Sequence, residues 1–164
     1  MRYSPLAYAL IGFLIAEVAS LETTVYLHRG STHGSVKFHP VVEFLMQFGL
    51  WLKTGINRVE WVAVHLCHHA HADEEGDPHS PVLLGLWKVQ LWNLFLYRKA
   101  AKDPNVLAYA KHINPSLAER KIFRSPHIGL AVGIGILWLV FGFWPMLIIA
   151  GVHSFLYLFF LNNL

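Results

Sequence analysis

The chain has 164 residues, of which 55% are hydrophobic and only 14% are charged, and its formal net charge is +3. With a mean hydropathy of +0.43, this composition is far from that of an average soluble domain and favours a membrane protein, which the long apolar stretches must decide. The basic residues are not interleaved with a nucleic-acid-binding motif, so we expect no nucleic-acid partner. A single cysteine, Cys67, excludes a disulfide framework and a cysteine-based metal cage, and the eleven histidines remain as candidate ligands.

Residues 5–27 form the first long apolar stretch. At about 1.5 Å per residue a helix of this length crosses a hydrocarbon core of about 30 Å. The stretch lacks a basic start and a small-residue cleavage site, so it predicts a retained transmembrane helix rather than a signal peptide. It contains Glu17 and Glu22. Because carboxylates are costly in lipid, we expect both to face the protein interior or to lie near the cytoplasmic end.

The middle of the chain, residues 28–127, holds twelve of the thirteen Lys and Arg residues, and the positive-inside rule therefore places it in the cytoplasm. Within it, residues 41–53 are largely apolar but too few to span, which predicts a helix lying in the membrane interface. The Pro-containing segments 103–105 and 114–116 predict turns or helix starts.

Residues 128–161 contain no Asp, Glu, Lys or Arg. As one helix they would measure about 51 Å, too long for a single crossing, so we expect them to fold back near Gly142 and Pro145. The sequence therefore predicts one all-α, polytopic membrane domain over residues 1–164. Its parts are an N-terminal transmembrane helix, interfacial and cytosolic helices that carry histidines, and a transmembrane hairpin of residues 128–143 and 145–161.

Five histidines fall into two compact boxes: His28 and His33 form H-x-x-x-x-H, and His65, His68 and His69 form H-x-x-H-H. On an α-helix the last three lie within about 100° of one another, so we expect their imidazoles to point to one place. His28 and His33 are about 140° apart on an ideal α-helix. They either bracket a site from two sides or require the helix to end between them.

Gly30 makes such a helix end plausible. Imidazole suits iron, copper, zinc and nickel, so the ligand type alone does not choose the metal. A cluster of five imidazoles at a cytosolic membrane face indicates oxygen chemistry on a lipid rather than a structural zinc site, which is usually closed by four ligands. We assign structural roles to Cys67 and to the histidines outside the boxes that have no expected ligand role: His39, His71, His112, His127 and His153.

Two segments carry a family resemblance. Residues 21–40, LETTVYLHRGSTHGSVKFHP, and residues 60–81, EWVAVHLCHHAHADEEGDPHSP, resemble the first two histidine boxes of the membrane fatty-acid desaturases, which act on acyl-CoA or acyl lipids. The order of the boxes, their spacing and the trailing Asp77-Pro78-His79 agree with the family. Weaker similarity continues into the hairpin.

This resemblance implies a di-iron centre that uses O2 as co-substrate to insert a double bond into an acyl chain. It implies that Trp61 lines the acyl tunnel and that His79 lies near the polar head of the substrate. The alternatives are an interfacial anchor for Trp61 and a loop residue for His79. The implied iron ligands are His28, His33, His65, His68, His69 and Asn162.

The chain also departs from the family. Gly34 and Leu66 stand where many members have arginine, and the family completes its site with an N-x-x-x-H element and a third H-x-x-H-H box. Asn162 matches the asparagine of that element, but its histidine and the third box are not found in the 164 residues. We therefore expect a C-terminally truncated desaturase that is inactive as this polypeptide.

The resemblance implies a membrane setting, an acyl-CoA or acyl-lipid substrate and a small electron donor of the ferredoxin, rubredoxin or cytochrome b5 type. We expect the protein in a bacterial inner membrane with its boxes facing the cytoplasm. Two alternatives remain open at this stage. One is a histidine-box lipid hydroxylase, because the ligands are shared, and the other is a non-catalytic, metal-binding membrane remnant.

Overall fold

The computed structural model describes residues 3–160, apart from the side chain of Phe160, and every regular element in this range is helical. The prediction of an all-α fold is thereby confirmed. The elements in chain order are α1 (Pro5–Glu22), a π-helix (Thr23–Thr32), α2 (Pro40–Lys53), α3 (Arg58–Ala70), α4 (Pro81–Leu84), α5 (Leu86–Ala100), α6 (Pro104–Leu107), a 3-10 turn (Ala108–Ala110), α7 (Leu117–Lys121), α8 (Pro126–Phe141) and α9 (Phe143–Phe160).

Proline and a capping side chain start many of these helices. Asp103 accepts the Asn105 backbone N–H in front of Pro104, and Ser80 does the same for the turn that begins at Pro81. Proline suits the first helical position because its missing N–H would have no helical partner there. Local sequence chemistry therefore determines where these helices begin.

The most extensive helix pairing joins α1 to α9, which run in the same direction. Tyr8 contacts Phe141 near the start of α1, and Thr23 Oγ1 lies 2.8 Å from the Tyr157 hydroxyl near its end. The end of α1 that continues into the π-helix therefore lies beside the C-terminal end of α9. There the Gln90 side chain of α5 donates to the backbone carbonyl of Phe159.

Polar contacts also attach α2 to this bundle. Lys53 at the end of α2 forms an ion pair of 2.8 Å with Glu22 at the end of α1. The backbone carbonyl of the same lysine accepts from His153 of α9 at 2.9 Å. Glu22 is therefore paired inside the protein, as expected. Glu17 is exposed, so of its two expected placements the inward one is wrong, because that turn of α1 buries Ala16 and Ala19 instead.

By length and composition, one described helical run is suited to cross a membrane, namely Pro5–Thr32, which contains an 18-residue stretch with a mean hydropathy of 1.6. The helices α8 and α9 are apolar but shorter. The break between them lies at Gly142, whose φ of +87° is a conformation that favours glycine. Pro145 falls inside the first turn of α9, not in the connection. The polytopic topology stays a prediction.

Candidate metal centre

The first histidine box lies at the end of the π-helix, with His28 inside it and His33 as its C-terminal capping residue. The His33 backbone N–H donates to the His28 carbonyl at 3.1 Å, an i→i+5 bond. Residues five apart in this geometry lie about one turn apart, so both rings project from one face, with their Nε2 atoms 3.1 Å apart. The helix continues through Gly30 to Thr32, so the alternative in which it ends between the two histidines is wrong. A Cβ at Gly30 would lie 2.7 Å from the ring of Phe38, so glycine is required for packing.

The second box lies on α3, which begins where the Asn57 side chain accepts the backbone N–H groups of the first turn. One face of α3, including Ala63 and Cys67, is buried in the protein core. His65 and His69 lie on another face, one helical turn apart, with their Nε2 atoms 3.0 Å apart. The buried face therefore fixes the direction in which these imidazoles point.

The two boxes meet at a four-histidine group made of His28, His33, His65 and His69, with one ring nitrogen from each within 4.8 Å of the others. The His28 and His65 ring centroids are 4.8 Å apart, and those of His33 and His69 are 5.3 Å apart. Imidazole nitrogens bind zinc at about 2.0–2.1 Å, so nitrogens sharing one metal lie about 3–4 Å apart. The observed spacing and donor type fit one transition-metal ion.

Charge also favours metal binding here. Burial, followed by the neighbouring imidazoles, lowers the pKa of His65 to about 3. Burial and the rings of His33 and His68 also lower the pKa of His69. Near neutral pH these rings are therefore neutral and keep a lone pair that can bind a cation.

His68 is the box histidine that does not join the four-histidine group. Its Nδ1 lies 2.9 Å from both carboxylate oxygens of Asp77, and its ring stacks on His79 with centroids 4.6 Å apart. The expectation that all three α3 histidines point to one place is therefore wrong, because Asp77 holds His68 aside. The His68 and His69 rings are nevertheless neighbours, with centroids 5.9 Å apart.

Trp61 and His79 both lie against box histidines. The Trp61 ring stacks on His65 at 4.7 Å with an interplanar angle of 19°. A cavity of about 460 Å³ opens nearby between the start of α3 and α7, but its lining residues include neither Trp61 nor a box histidine. The acyl-tunnel role of Trp61 and the head-group role of His79 stay predictions.

Three histidines outside the boxes, His39, His71 and His153, have hydrogen-bond partners of their own. His71 Nε2 lies 2.8 Å from the Tyr109 hydroxyl, and His39 caps α2 by accepting the Val41 backbone N–H. Asn162, the sixth expected ligand, lies outside the described residues. The sequence does not assign a partner to Asp77, and the one signal it offers is the place of this residue in Asp77-Pro78-His79 after the second box.

Comparison with known proteins supports the family resemblance. The chain is 34% identical over 82 residues to the delta-9 desaturase-like 5 protein of Arabidopsis thaliana, which is 49% of this chain and 27% of that protein. It is 33% identical over 100 residues to delta-9 acyl-lipid desaturase 2 of the same plant, and this match covers 58% of this chain and 32% of that protein. It is also 33% identical over 103 residues to icosanoyl-CoA 5-desaturase of Limnanthes douglasii, and this match covers 58% of this chain and 29% of that protein.

The matched part of the chain thus spans about a third or less of the length of these curated relatives. No family model matches the chain. No solved structure matches it either. The resemblance to desaturases predicted from the two histidine boxes is confirmed at the level of these curated relatives.

Proposed function

We propose that this chain, which is similar to fatty-acid desaturases, carries the metal-binding part of an O2-dependent fatty-acyl desaturase. The observation that supports the proposal most is the convergence of the four-histidine group from two separate helices. A structural zinc site would also accept four imidazoles, but it would not account for the fifth box histidine and its buried carboxylate. The similarity to named acyl-lipid and acyl-CoA desaturases adds independent support.

In this proposal the four-histidine group holds one iron and His68 contributes to a second. Two irons, once bound, would supply the activation of O2 and the removal of two hydrogens from an acyl chain. The protein would hold the imidazoles neutral and place the substrate next to them. The remaining ligands of the second iron would come from outside residues 3–160, and Asn162 is our candidate among the 164 residues.

The substrate in this proposal is an acyl-CoA or an acyl lipid held at the membrane surface. In this proposal Trp61 limits one side of an acyl channel next to the metal, and its stacking on His65 supports that role. The His79 ring stacks on that of His68, and we assign His79 to the polar head of the substrate. The apolar run Pro5–Thr32 would anchor the site in the bilayer.

Desaturation with O2 consumes two electrons per turnover, because one O2, the two hydrogens removed and two further protons and electrons together give two waters. We propose that a small redox protein supplies them by docking on the basic section of residues 28–127. The same basic section supports a cytoplasmic orientation, and we propose a bacterial inner membrane as the setting.

Metal binding tests the proposal directly. The 164-residue chain would be purified in detergent, incubated anaerobically with Fe(II) or Co(II), and analysed for bound metal and for the absorption of cobalt. We expect His65→Ala to abolish binding, since it removes one of four convergent donors. His112→Ala is the matched control, because His112 is exposed on a different segment, and it should bind like wild type. Equal binding by the His65→Ala variant would contradict the proposal.

A second measurement separates a desaturase from a hydroxylase. A longer protein that includes these 164 residues would be expressed with a saturated acyl substrate, and the products would be analysed by mass spectrometry. We expect an alkene two hydrogens lighter than the substrate. An alcohol as the main product would instead support the hydroxylase alternative.

A further inference from the structure

The buried carboxylate of Asp77 contacts the His68 ring. The Asp77 side chain is fully buried, at 0% exposure, whereas the His68 side chain is 29% exposed. Both carboxylate oxygens lie 2.9 Å from His68 Nδ1. Burying a carboxylate is costly unless it is hydrogen-bonded, so this contact is part of what makes the Asp77 position tolerable.

The acceptor capacity of Asp77 is largely used inside the protein. Its Oδ2 accepts the Asp73 backbone N–H and its Oδ1 accepts the His79 backbone N–H, each at 3.0 Å. With the contacts to His68, each oxygen therefore has two partners. A carboxylate whose lone pairs are occupied in this way is better suited to orient a ligand than to bind a metal itself.

The loop after α3 holds Asp77 in place. Asp73 has a φ of +60°, which is rare for a residue other than glycine, and its carboxylate accepts from the fully buried Ser80 hydroxyl at 2.7 Å. Gly76 has a φ of +106°, and a Cβ there would lie 3.2 Å from the His71 ring. The left-handed Asp73 persists because contacts such as that with Ser80 hold it, and these contacts fix the loop and its Asp77 carboxylate relative to α3.

The direction of the hydrogen bond follows from the chemistry of the two groups. An ionised carboxylate can only accept, so the proton in this contact belongs to His68 Nδ1. In a neutral imidazole the other nitrogen, Nε2, then carries the lone pair. His79 stacks on the ring and restricts its rotation. The His68 ring is therefore held in one tautomer and one orientation.

We propose that Asp77 is a positioning residue that fixes His68 in the Nδ1–H tautomer and so presents Nε2 to a metal adjacent to the four-histidine group. This inference rests on the proposed function for the identity of the site, but the tautomer itself does not depend on a bound metal. The competing possibility is that Asp77 is itself a ligand, together with His68 and His79, in a metal site of their own.

Nitrogen NMR of the histidine side chains tests the tautomer. The metal-free chain would be labelled with 15N-histidine in detergent, and His68 would be assigned by its absence in a His68→Gln variant. We expect Nδ1–H in wild type and a mixture of tautomers in Asp77→Asn, because an amide can either accept from Nδ1–H or donate to a bare Nδ1. Glu74→Gln is the control, since Glu74 is an exposed carboxyl of the same loop. An Nε2–H tautomer in wild type would overturn the proposal.

A double-mutant cycle in a longer, metal-loaded protein separates positioning from a general structural role. Asp77→Asn should weaken iron binding about 10–100-fold, the usual effect of losing such an outer partner. In a His68→Ala background the same substitution should change binding by less than about twofold, since its effect passes through His68. Equal losses in both backgrounds would contradict the proposal.

Cobalt binding distinguishes the remaining outcomes. If wild type binds no metal at all, the proposed function fails, whereas the tautomer result still stands by itself. If the His65→Ala variant retains one cobalt that persists when His68→Ala is added but is lost when Asp77→Asn is added, Asp77 is a metal ligand and the positioning role is refuted.

Discussion

Arg58 and Glu119 form a bidentate ion pair that connects the first residue of α3 to α7. The Arg58 Nε and Nη2 atoms donate to the two carboxylate oxygens at 2.7 and 2.9 Å, and the Glu119 side chain is only 4% exposed. Glu119 also accepts the Ser116 backbone N–H at 2.6 Å, which completes a capping box. One carboxylate thus starts α7 and fixes the position of the histidine-bearing helix relative to it.

We expect Glu119→Gln to lower the free energy of unfolding by about 2–3 kcal/mol at neutral pH, because a partly buried guanidinium loses its charged partner while the amide still accepts one hydrogen bond. Thermal unfolding in detergent, followed by circular dichroism, measures the change. The control is Glu74→Gln, an exposed position where the same chemical change should be nearly neutral.

The role of the Arg58–Glu119 ion pair can also be tested by measuring stability as the pH is lowered. Burial alone would raise the pKa of Glu119, but hydrogen bonds from Arg58 and Ser116 outweigh it and hold the pKa below its usual 4.5. A depressed folded-state pKa contributes stability that is present above about pH 4.5 and is lost as the pH falls through the lower folded-state value. The Gln variant should lose this dependence, and an unchanged acid profile would contradict the role assigned to the ion pair.

At the scale of elements, the π-helix is a feature that the sequence does not predict. The spacing of His65 and His69 predicts that their side chains lie together, because residues four apart share a face of an α-helix. The spacing of His28 and His33 does not predict a shared face, since α-helical geometry separates them by about 140° and no sequence pattern indicates i→i+5 bonding. Only the i→i+5 bond observed at His33 explains how five-residue spacing brings the two rings together.

The His68–Asp77 contact could not be read from the sequence for a different reason. The two residues are nine apart, and the loop that brings them together has a left-handed conformation at Asp73 and at Gly76. Propensity permits such a conformation at aspartate but does not predict it. The helix starts at Pro104 and after Ser116, by contrast, follow from local capping chemistry. Local rules therefore predict helix ends, whereas long-range contacts decide how the site is assembled.

The pairing of α2 with α8 depends on small residues. Gly129 and Gly133 lie one turn apart on α8, and a Cβ at either would overlap a backbone carbonyl of α2, that of Trp51 or Leu52 respectively. Backbone atoms cannot move aside as side chains do. Close approach through glycines four apart is typical of helix packing in membranes.

We expect Gly133→Ala to destabilise the protein by about 1–3 kcal/mol, because the added methyl group forces α8 away from α2. Gly135→Ala on the same helix is the matched control, since nothing lies within 4 Å of its Cβ position. That control should be neutral or should stabilise the helix by up to about 1 kcal/mol. Unfolding in increasing SDS compares the two, and equal stabilities would show that α8 and α2 are not packed this closely.

For the whole molecule, the arrangement of the long helices places all the metal-site chemistry at one end. The start of α1 lies by the Gly142 break, as the contact of Tyr8 with Phe141 shows, and its far end continues into the π-helix that carries the first box. The C-terminal end of α9 lies at that same far end, beside α5. Further ligands that follow α9 in a longer protein would therefore enter next to the four-histidine group and His68.

This arrangement predicts how much chemistry the 164 residues can support alone. Within residues 3–160 four imidazoles converge, whereas His68 is paired with a carboxylate whose acceptor positions are occupied. We therefore expect the isolated polypeptide to bind one metal ion per chain, to keep it in His68→Ala, and to form no alkene from a saturated acyl substrate with O2 and a reductant. Metal analysis and product analysis on the same preparation check both statements. Two irons per chain with alkene formation would show that the second metal needs no further ligands than these residues contain.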